Sequence, residues 1–431
     1  MNTTPVTLFD EHFVHADSAR RPMSVHIEVK VAGRMDAKRL RSAIRSAVQR
    51  HPIARARLAA AELTSNTLSW EITPELEFEP LAIIESETPE DLQSAREQLV
   101  SVKVPLAGSP PFRAYLIRCD GGDHLILNVN HAASDGIGTL RLMKSILCAY
   151  SKQKDDGDDV DPLAARDISS IFQLDDREQR KDRRSNLLAE LSKFIGNLAP
   201  IEPYNDSDKA GYGLHYLCLD QQETAKLKPK KYVCGSVNDL LVAAMHLSIE
   251  RWNAEHDGEI GTYRVMIPVN LRPREWWYEV FSNYSLAFHT RTKPEQRRRP
   301  EKLMRTIVEQ TTIAKEKGLA NTFLEPLVVG TKIPLAMKRL LAPSLDSATP
   351  INAVLSNVGN LRETLSAGDA GDVLDFWFSP PMFMSDGLGL GASGYKNALY
   401  LCFRHCYTLM SKDAIAEFAN IYRQCLHSLS E

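Results

Sequence analysis

The feature that most constrains the fold is an apolar segment that runs into a histidine, a sharp turn and then a helix. Residues 124–130 read HLILNVN, with leucine or valine at every second position, which favours a buried strand. His131 ends that strand, and Asp135 and Gly136 mark a turn because both residue types tolerate tight-turn backbone. Residues 139–150 place apolar side chains three and four apart, which predicts an amphipathic helix. One imidazole is therefore set at the end of a rigid element.

A histidine in that position suits general-base chemistry. Its unperturbed pKa near 6.5 lets the neutral imidazole accept a proton at neutral pH. Asp135, four residues on, could orient the ring or tie the turn to an arginine. A histidine followed by Asp-Gly is also common in ordinary loops, so a purely structural histidine is the competing interpretation.

Composition narrows the class of protein. A chain of 431 residues is long enough for two domains with cores of their own, and a net charge of -3 gives no reason to expect nucleic acid or an anionic membrane as partner. Seven scattered cysteines indicate reduced thiols in a cytoplasm, and Cys402 and Cys406 near His405 lack the second pair that a zinc site needs. The N-terminal residues have neither the basic start nor the apolar core of a targeting segment. No apolar run in the sequence is long enough to span a membrane.

Strands and helices alternate through both halves, which predicts an α/β protein of the α+β type with a mixed sheet in each half. Residues 24–31 should form a strand with one solvent-exposed face, and the glycine-rich DGLGLGASG segment a flexible loop. Two charged tracts, SKQKDDGDDVD and LDDREQRKDRR, indicate a surface linker, with a helix at 186–198. The predicted division is an N-terminal domain at 1–165, a crossover at 166–205 and a C-terminal domain at 206–431.

The remaining predicted elements follow from the same patterns. Strands are expected at 68–73, 77–84, 112–118, 213–219, 263–270, 284–290, 351–357, 373–379 and 398–404, and helices at 37–50, 89–100, 236–252, 301–317 and 411–428.

NHAASDG resembles the His-His-x-x-x-Asp-Gly signature of the condensation-domain and acyltransferase superfamily, which includes peptide-synthetase condensation domains and chloramphenicol acetyltransferase. The segments QRHP, PPFRAYLIR, SVNDLLVAA, MIPVNLRP, FSNYS and LSNVGNL resemble further landmarks of stand-alone members, in the same order, so the resemblance covers nearly the whole chain. It implies two chloramphenicol-acetyltransferase-like subdomains, each a mixed sheet flanked by helices, in a V-shaped pseudo-dimer. The base would lie at their interface, in a channel that donor and acceptor enter from opposite faces.

The resemblance assigns roles to the motif. His131 would be the general base, and Asp135 and Gly136 would hold the turn, with Asp135 paired to an arginine. That arginine is Arg272 or Arg55, of which Arg272 is preferred. Asn130 stands where the family has its first histidine, a mainly positional residue that an amide can replace through its hydrogen bonds.

Other candidates are less specific. The oxyanion of the tetrahedral intermediate needs a donor, which could be a backbone amide just after His131, near Asp135 and Gly136, or the strand end with Ser356, Asn357 and Gly359. Trp276 and Trp277 could line an acyl pocket or cap the core. The arginines at 297–299 could contact a phosphopantetheine or CoA phosphate, although such a run usually forms a solvated face.

These observations predict a stand-alone acyltransferase of the EC 2.3.1 type in natural-product or lipid biosynthesis. It would move an acyl group from an acyl-CoA or acyl-carrier-protein thioester to a small alcohol, with an amine acceptor and amide-forming condensation as the enzymatic alternative. A catalytically silent module that binds carrier proteins is the alternative from another class. We expect a cytoplasmic monomer with no metal and no permanently bound cofactor, the phosphopantetheine thioester being a co-substrate.

Overall fold

The computed structural model describes residues 2–430 apart from 63, 157–159, 193, 195, 206–208, 230–234, 277–278, 339, 341–349 and 383–386. In the described residues helices and strands alternate in both halves, so the predicted fold class is confirmed. The helices there are α1 (Leu8–Ala16), α2 (Ala37–Arg50), α3 (Pro89–Ser101), α4 (Gly136–Ser151), α5 (Ile168–Ile171), α6 (Arg177–Ser192), α7 (Gln221–Lys226), α8 (Val237–Glu255), α9 (Pro294–Arg297), α10 (Pro300–Glu316), α11 (Leu324–Gly330) and α12 (Lys412–Leu429). In that same part of the chain, none of the helices is both long and apolar enough to cross a membrane.

The described strands form three sheets. The strands are β1 (Asn2–Pro5), β2 (Ser24–Val31), β3 (Ala56–Leu58), β4 (Ser69–Ile72), β5 (Leu81–Glu85), β6 (Phe112–Arg118), β7 (His124–Asn130), β8 (Tyr212–Leu219), β9 (Tyr263–Asn270), β10 (Ser285–Thr292), β11 (Ala353–Leu361), β12 (Val373–Ser379), β13 (Leu388–Tyr395) and β14 (Ala398–Cys406). The five-stranded sheet has the order β12-β2-β7-β6-β5, the six-stranded sheet the order β10-β9-β11-β13-β14-β8, and the small sheet the order β1-β4-β3.

The five-stranded sheet joins the two halves of the chain. Its strand β12 comes from the C-terminal half but pairs antiparallel with β2, Phe378 opposite Ile27. This strand therefore crosses the division predicted at 166–205. The sheet is also covered on both faces, so the expected solvent-exposed face of β2 is wrong: Glu28 is fully buried and pairs with Arg96 of α3.

The glycine-rich segment predicted as a flexible loop is strand β13, in the interior of the six-stranded sheet between β11 and β14. A Cβ atom at Gly391 would lie 1.9 Å from the carbonyl oxygen of Phe378. Glycine is needed there because β12 and β13 approach too closely for any side chain. Because glycine has a low strand propensity, the sequence pattern predicted a loop and not a strand for this segment.

The crossover also differs from its prediction. The helix predicted at 186–198 begins earlier, because α6 starts at Arg177, inside the charged tract; residues 193 and 195 lie outside the described residues. Within α6, Arg183 and Arg184 both pair with the buried Glu325. In the first charged tract, Asp155 accepts a hydrogen bond of 2.7 Å from the buried Arg141. Part of each tract is therefore held against the protein by ion pairs.

Candidate active site

His131 lies at the end of β7, where the two halves of the chain meet. Its backbone N–H donates to the carbonyl of Met23 at 2.7 Å, which continues the β2–β7 pairing by one residue. From the C-terminal half, Asn283 Nδ2 donates to the carbonyl oxygen of His131 at 3.0 Å. The histidine is 7% exposed, so the site is enclosed by residues of both halves.

The environment of the ring decides its protonation. Burial lowers the pKa of His131 to about 4, and this effect outweighs the nearby Asp135 carboxylate and a hydrogen bond to the residue's own carbonyl, which both raise it. The imidazole is therefore neutral at pH 7. Asn283 Nδ2 lies 3.5 Å from Nδ1 of the ring, and contacts of this kind decide which ring nitrogen carries the proton of the neutral form.

Asp135 holds the turn after the histidine. It is the N-cap of α4, and its Oδ1 accepts from Gly138 N at 3.0 Å. Its Oδ2 accepts from Arg272 Nη1 at 2.7 Å and from Tyr284 N at 2.8 Å. Burial raises the pKa of Asp135, but the Arg272 guanidinium and these hydrogen bonds together bring it below its ordinary value. The carboxylate ties the N-terminus of α4 to the C-terminal half.

Of the two arginines considered for Asp135, the structure pairs it with Arg272. The alternative, Arg55, is wrong as a partner because it donates to the carbonyl oxygens of Thr73 and Pro74, at the end of β4. Arg272 also donates to the carbonyl of Ser282 at 2.5 Å.

Gly136 is the first residue of α4, and the fold leaves no room there for a side chain. A Cβ atom would lie 2.8 Å from the ring of Phe378 in β12 and 3.1 Å from Val358 in β11. Both strands belong to the C-terminal half, so the motif glycine permits the close approach of the two halves beside the histidine.

Asn130 replaces the histidine of the family signature by hydrogen bonding. Its Nδ2 donates to Asp17 Oδ2 and to the carbonyl of Val104, both at 2.8 Å, while its Oδ1 accepts from Ala132 N at 3.0 Å. With Asn130 only 1% exposed, these bonds fix the loop that follows β7.

The same contacts bear on the oxyanion donors. The amide of Ala132 donates to the Asn130 side chain, and the amide of Ala133 donates to the Asn130 carbonyl. The two amides directly after His131 therefore already have acceptors and are not free to donate to an oxyanion. The other candidate, the strand end at Ser356, Asn357 and Gly359, belongs to β11, whose Val358 packs beside the start of α4.

Two of the remaining candidates, Trp276 and Arg297, have their contacts in other parts of the described structure. Trp276 packs against a separate apolar cluster that includes Phe9 and Tyr284, which corresponds to the core-capping alternative, and Trp277 lies outside the described residues. Of the arginines at 297–299, Arg297 is buried and donates to Glu250 at 2.7 Å, so it is not placed to bind a phosphate. Arg298 and Arg299 are exposed, as the alternative of a solvated face expects. Among the described residues, no group of three His, Cys, Asp or Glu side chains could hold a metal ion.

Two residues of the site have no role in the sequence interpretation. Asn283 belongs to FSNYS, which was noted only as a landmark. Phe13 lies in α1, and its ring stacks on the His131 imidazole with 3.7 Å between ring centroids. A signal for α1 existed, because Thr7 and Asp10 form a capping box ahead of apolar residues.

Comparison with known families matches the profile described as Condensation domain to residues 16–265 of this chain. An uncharacterized protein of Mycobacterium tuberculosis is 32% identical over 98% of this chain and 99% of its own length.

Solved structures share the fold at low identity. The first condensation domain of the CDA synthetase has a TM-score of 0.73 at 14% identity, with 99% of this chain and 96% of that chain covered. The starter condensation domain of rhizomide synthetase, in complex with C8-CoA, has a TM-score of 0.68 at 14% identity, with 99% and 95% covered.

Proposed function

Because the chain belongs to the condensation-domain family, we propose that it is an acyltransferase that carries an acyl group from a phosphopantetheine thioester to an alcohol, with His131 as the general base. The thioester is that of an acyl-CoA or of an acyl carrier protein, and the product is an ester. The protein needs no permanently bound cofactor for this reaction.

In the proposed reaction, Nε2 of His131 takes the proton of the alcohol as its oxygen attacks the thioester carbonyl. The carbonyl π electrons move to oxygen and give a tetrahedral oxyanion. When this intermediate collapses, the carbon–sulfur bond breaks and the imidazolium returns the proton to the departing thiolate. The acyl group passes directly between the substrates, so no acyl-enzyme forms.

The observation that carries this proposal is the way His131 is held. Its ring is neutral and its Nδ1 side contacts Asn283, and Nε2 is the nitrogen that we assign as the base. Asn283 and the Asp135–Arg272 pair fix the backbone on either side of the ring, and neither competes for Nε2. Rigid support of a neutral imidazole is what a proton-accepting group needs.

Access to the base is part of the proposal. We expect a channel between the halves, with one mouth for the phosphopantetheine arm and the other for the acceptor. At the β11 strand end with Ser356, Asn357 and Gly359, the amide of Gly359 already donates to Asn357 Oδ1 at 2.8 Å, so we expect Ser356 or Asn357 to donate to the oxyanion. A cavity of about 310 Å³ beside α6 is lined by Ile171, Asn321 and their neighbours and not by His131, so it is a separate feature.

Amide formation is the second candidate, favoured by the likeness to the first condensation domain of the CDA synthetase. An amine would enter as the acceptor, and the same base would take its proton. The two candidates differ in the nucleophile alone, so one assay decides between them.

The test is to incubate the protein with a set of acyl-CoAs and acyl-carrier thioesters and pooled alcohols and amines, and to follow free thiol and product by mass spectrometry. Ester formation supports the first candidate and amide formation the second. His131→Ala should lower turnover by at least about 100-fold, the usual effect of a positioned general base. The buried His246, which bonds Thr290 in the second half, provides a matched control, because His246→Gln also removes a buried imidazole.

Three results would contradict the proposal. His131→Ala could retain the turnover of the parent protein, which would remove that residue from the mechanism. Intact-mass measurement during turnover could show an acylated protein, which the direct transfer excludes. Tight binding of acylated carrier proteins without any transfer would favour the silent module.

A further inference from the structure

The N-terminal helix α1 lies against the imidazole of His131. Phe13 and His131 are stacked with their ring centroids 3.7 Å apart and their planes 9° from parallel. Phe13 is 4% exposed, so the pair is closed off from solvent. We propose that Phe13 is a positioning residue for His131, which fixes the plane of the imidazole and keeps water from one of its faces. The inference rests on the proposed role of His131 as the base.

Helix α1 is anchored at several points, so Phe13 is presented from a fixed support. Asp10 is fully buried and accepts from Trp70 Nε1 at 3.1 Å and from Arg166 Nη2 at 2.6 Å. On the other side of the helix, Lys338 Nζ donates to Glu11. These partners come from the N-terminal half, the crossover and the C-terminal half, so the position of α1 depends on the assembled protein.

The stacking geometry has two chemical consequences. A ring stacked parallel to the imidazole covers one face and not the edge that carries Nε2, so Phe13 itself does not obstruct proton transfer at that nitrogen. The covered face cannot be hydrated, which disfavours the charged imidazolium and contributes to the lowered pKa of His131. The charged groups that act on this pKa are Asp135 at the start of α4, which raises it, and His12 on α1, which lowers it.

A purely structural role for Phe13 makes a different prediction. Phe13 belongs to the core cluster of the N-terminal half, and any large core side chain contributes stability. Phe9 on the same helix offers a matched comparison, because it is fully buried yet packs its ring against Phe172 and Tyr284. Both truncations should destabilise the protein, but only the one at Phe13 uncovers the imidazole.

The test is NMR of protein labelled with ¹⁵N-histidine, in which the His131 signals are identified by their loss in His131→Gln. Over a titration from about pH 8 to about pH 4.5, the parent protein should keep a neutral His131 with its proton on Nδ1. In Phe13→Ala, we expect the pKa of His131 to rise by about one pH unit or more, within the range that desolvation spans, and the tautomer to become mixed. Phe9→Ala should change neither. An unchanged pKa and tautomer in Phe13→Ala would overturn the proposal.

If the alanine variants do not fold, Phe13→Leu and Phe9→Leu replace them in the same NMR comparison, because leucine keeps most of the apolar volume of phenylalanine. Phe13→Leu should still give a mixed tautomer, and Phe13→Tyr, which retains the stacked ring, should restore the Nδ1 proton. Identical His131 spectra in Phe13→Leu and Phe9→Leu would also overturn the proposal. Since these spectra require no turnover, a failure of the thioester assay counts against the proposed function alone.

Discussion

Asp135→Asn is the substitution whose effect the structure specifies in most detail. The carboxylate is 4% exposed and faces the Arg272 guanidinium, whose side chain is fully buried. An asparagine would keep one oxygen but turn its NH₂ group toward donors, so at least one of Arg272 Nη1, Tyr284 N and Gly138 N would lose its acceptor.

Breaking a buried ion pair by removing one partner costs about 3–5 kcal/mol, because the other charge stays buried without compensation. Arg272 keeps its hydrogen bonds to Ser282 O and to Asn270 Oδ1 in the variant, which places the expected loss near the lower limit, about 3 kcal/mol. Turnover should fall as well, since the start of α4 beside His131 is no longer fixed.

Urea unfolding of the parent, Asp135→Asn, Arg272→Ala and the double variant gives the coupling energy of the pair. Arg55→Ala is the matched control, because Arg55 donates to backbone carbonyls only and should show no coupling to Asp135. An Asp135→Asn protein that unfolds with the free energy of the parent but is inactive would refute this reasoning and would assign the carboxylate to the chemistry itself.

The acid dependence of stability follows from the same pair. The pKa of Asp135 is lower in the folded protein than the value near 3.9 in an unfolded chain, so the unfolded state binds the proton more readily as pH falls. The stability from this pair is therefore fully present above about pH 4 and is lost as pH falls further through the folded pKa. Asp135→Asn should lack this part of the acid dependence.

Three further predictions concern the same region. Gly136→Ala should cost about 1–3 kcal/mol in unfolding free energy, since its Cβ would lie 2.8 Å from the Phe378 ring, and a parent-like urea midpoint would contradict this. Gly359→Val should reduce transfer, and because Gly359 has a φ of +85° it should also cost about 1–2 kcal/mol in unfolding free energy; a variant as active and as stable as the parent would contradict this. Asn130→His should lower stability by about 1–3 kcal/mol, since an imidazole cannot replace the amide's bonds to Asp17, Val104 and Ala132; an equally stable variant would show that the family histidine fits this loop.

Local patterns predicted the elements that carry the motif with little error. Strands β2, β6, β7, β9 and β12 have the predicted bounds, because each combines β-branched or aromatic residues with an unambiguous turn or cap. The proposed base and its neighbours came from the resemblance of the NHAASDG segment to the family signature, and the residues of that segment lie within one strand, one turn and one helix.

What the sequence did not predict depends on contacts between distant segments. The burial of Glu28 requires Arg96 of α3 and the cover that β8 provides, and no window around β2 contains that information. The glycines of β13 require the approach of β12, and the stacking of Phe13 on His131 requires α1 to be held by residues of the other half. Tertiary packing overrode local propensity at each of these places.

The pairing of β12 with β2 also affects how the protein is made on the ribosome. Until β12 has been synthesised, β2, with Val25, Ile27 and Val29 along it, is the outer strand of the first sheet: one edge pairs with β7 and the other has no partner strand. An open strand edge can pair with other chains, and at about 5–20 residues per second it stays open for many seconds while most of the chain emerges. Nascent chains stalled before residue 373 should therefore depend on chaperones far more than chains stalled after residue 379.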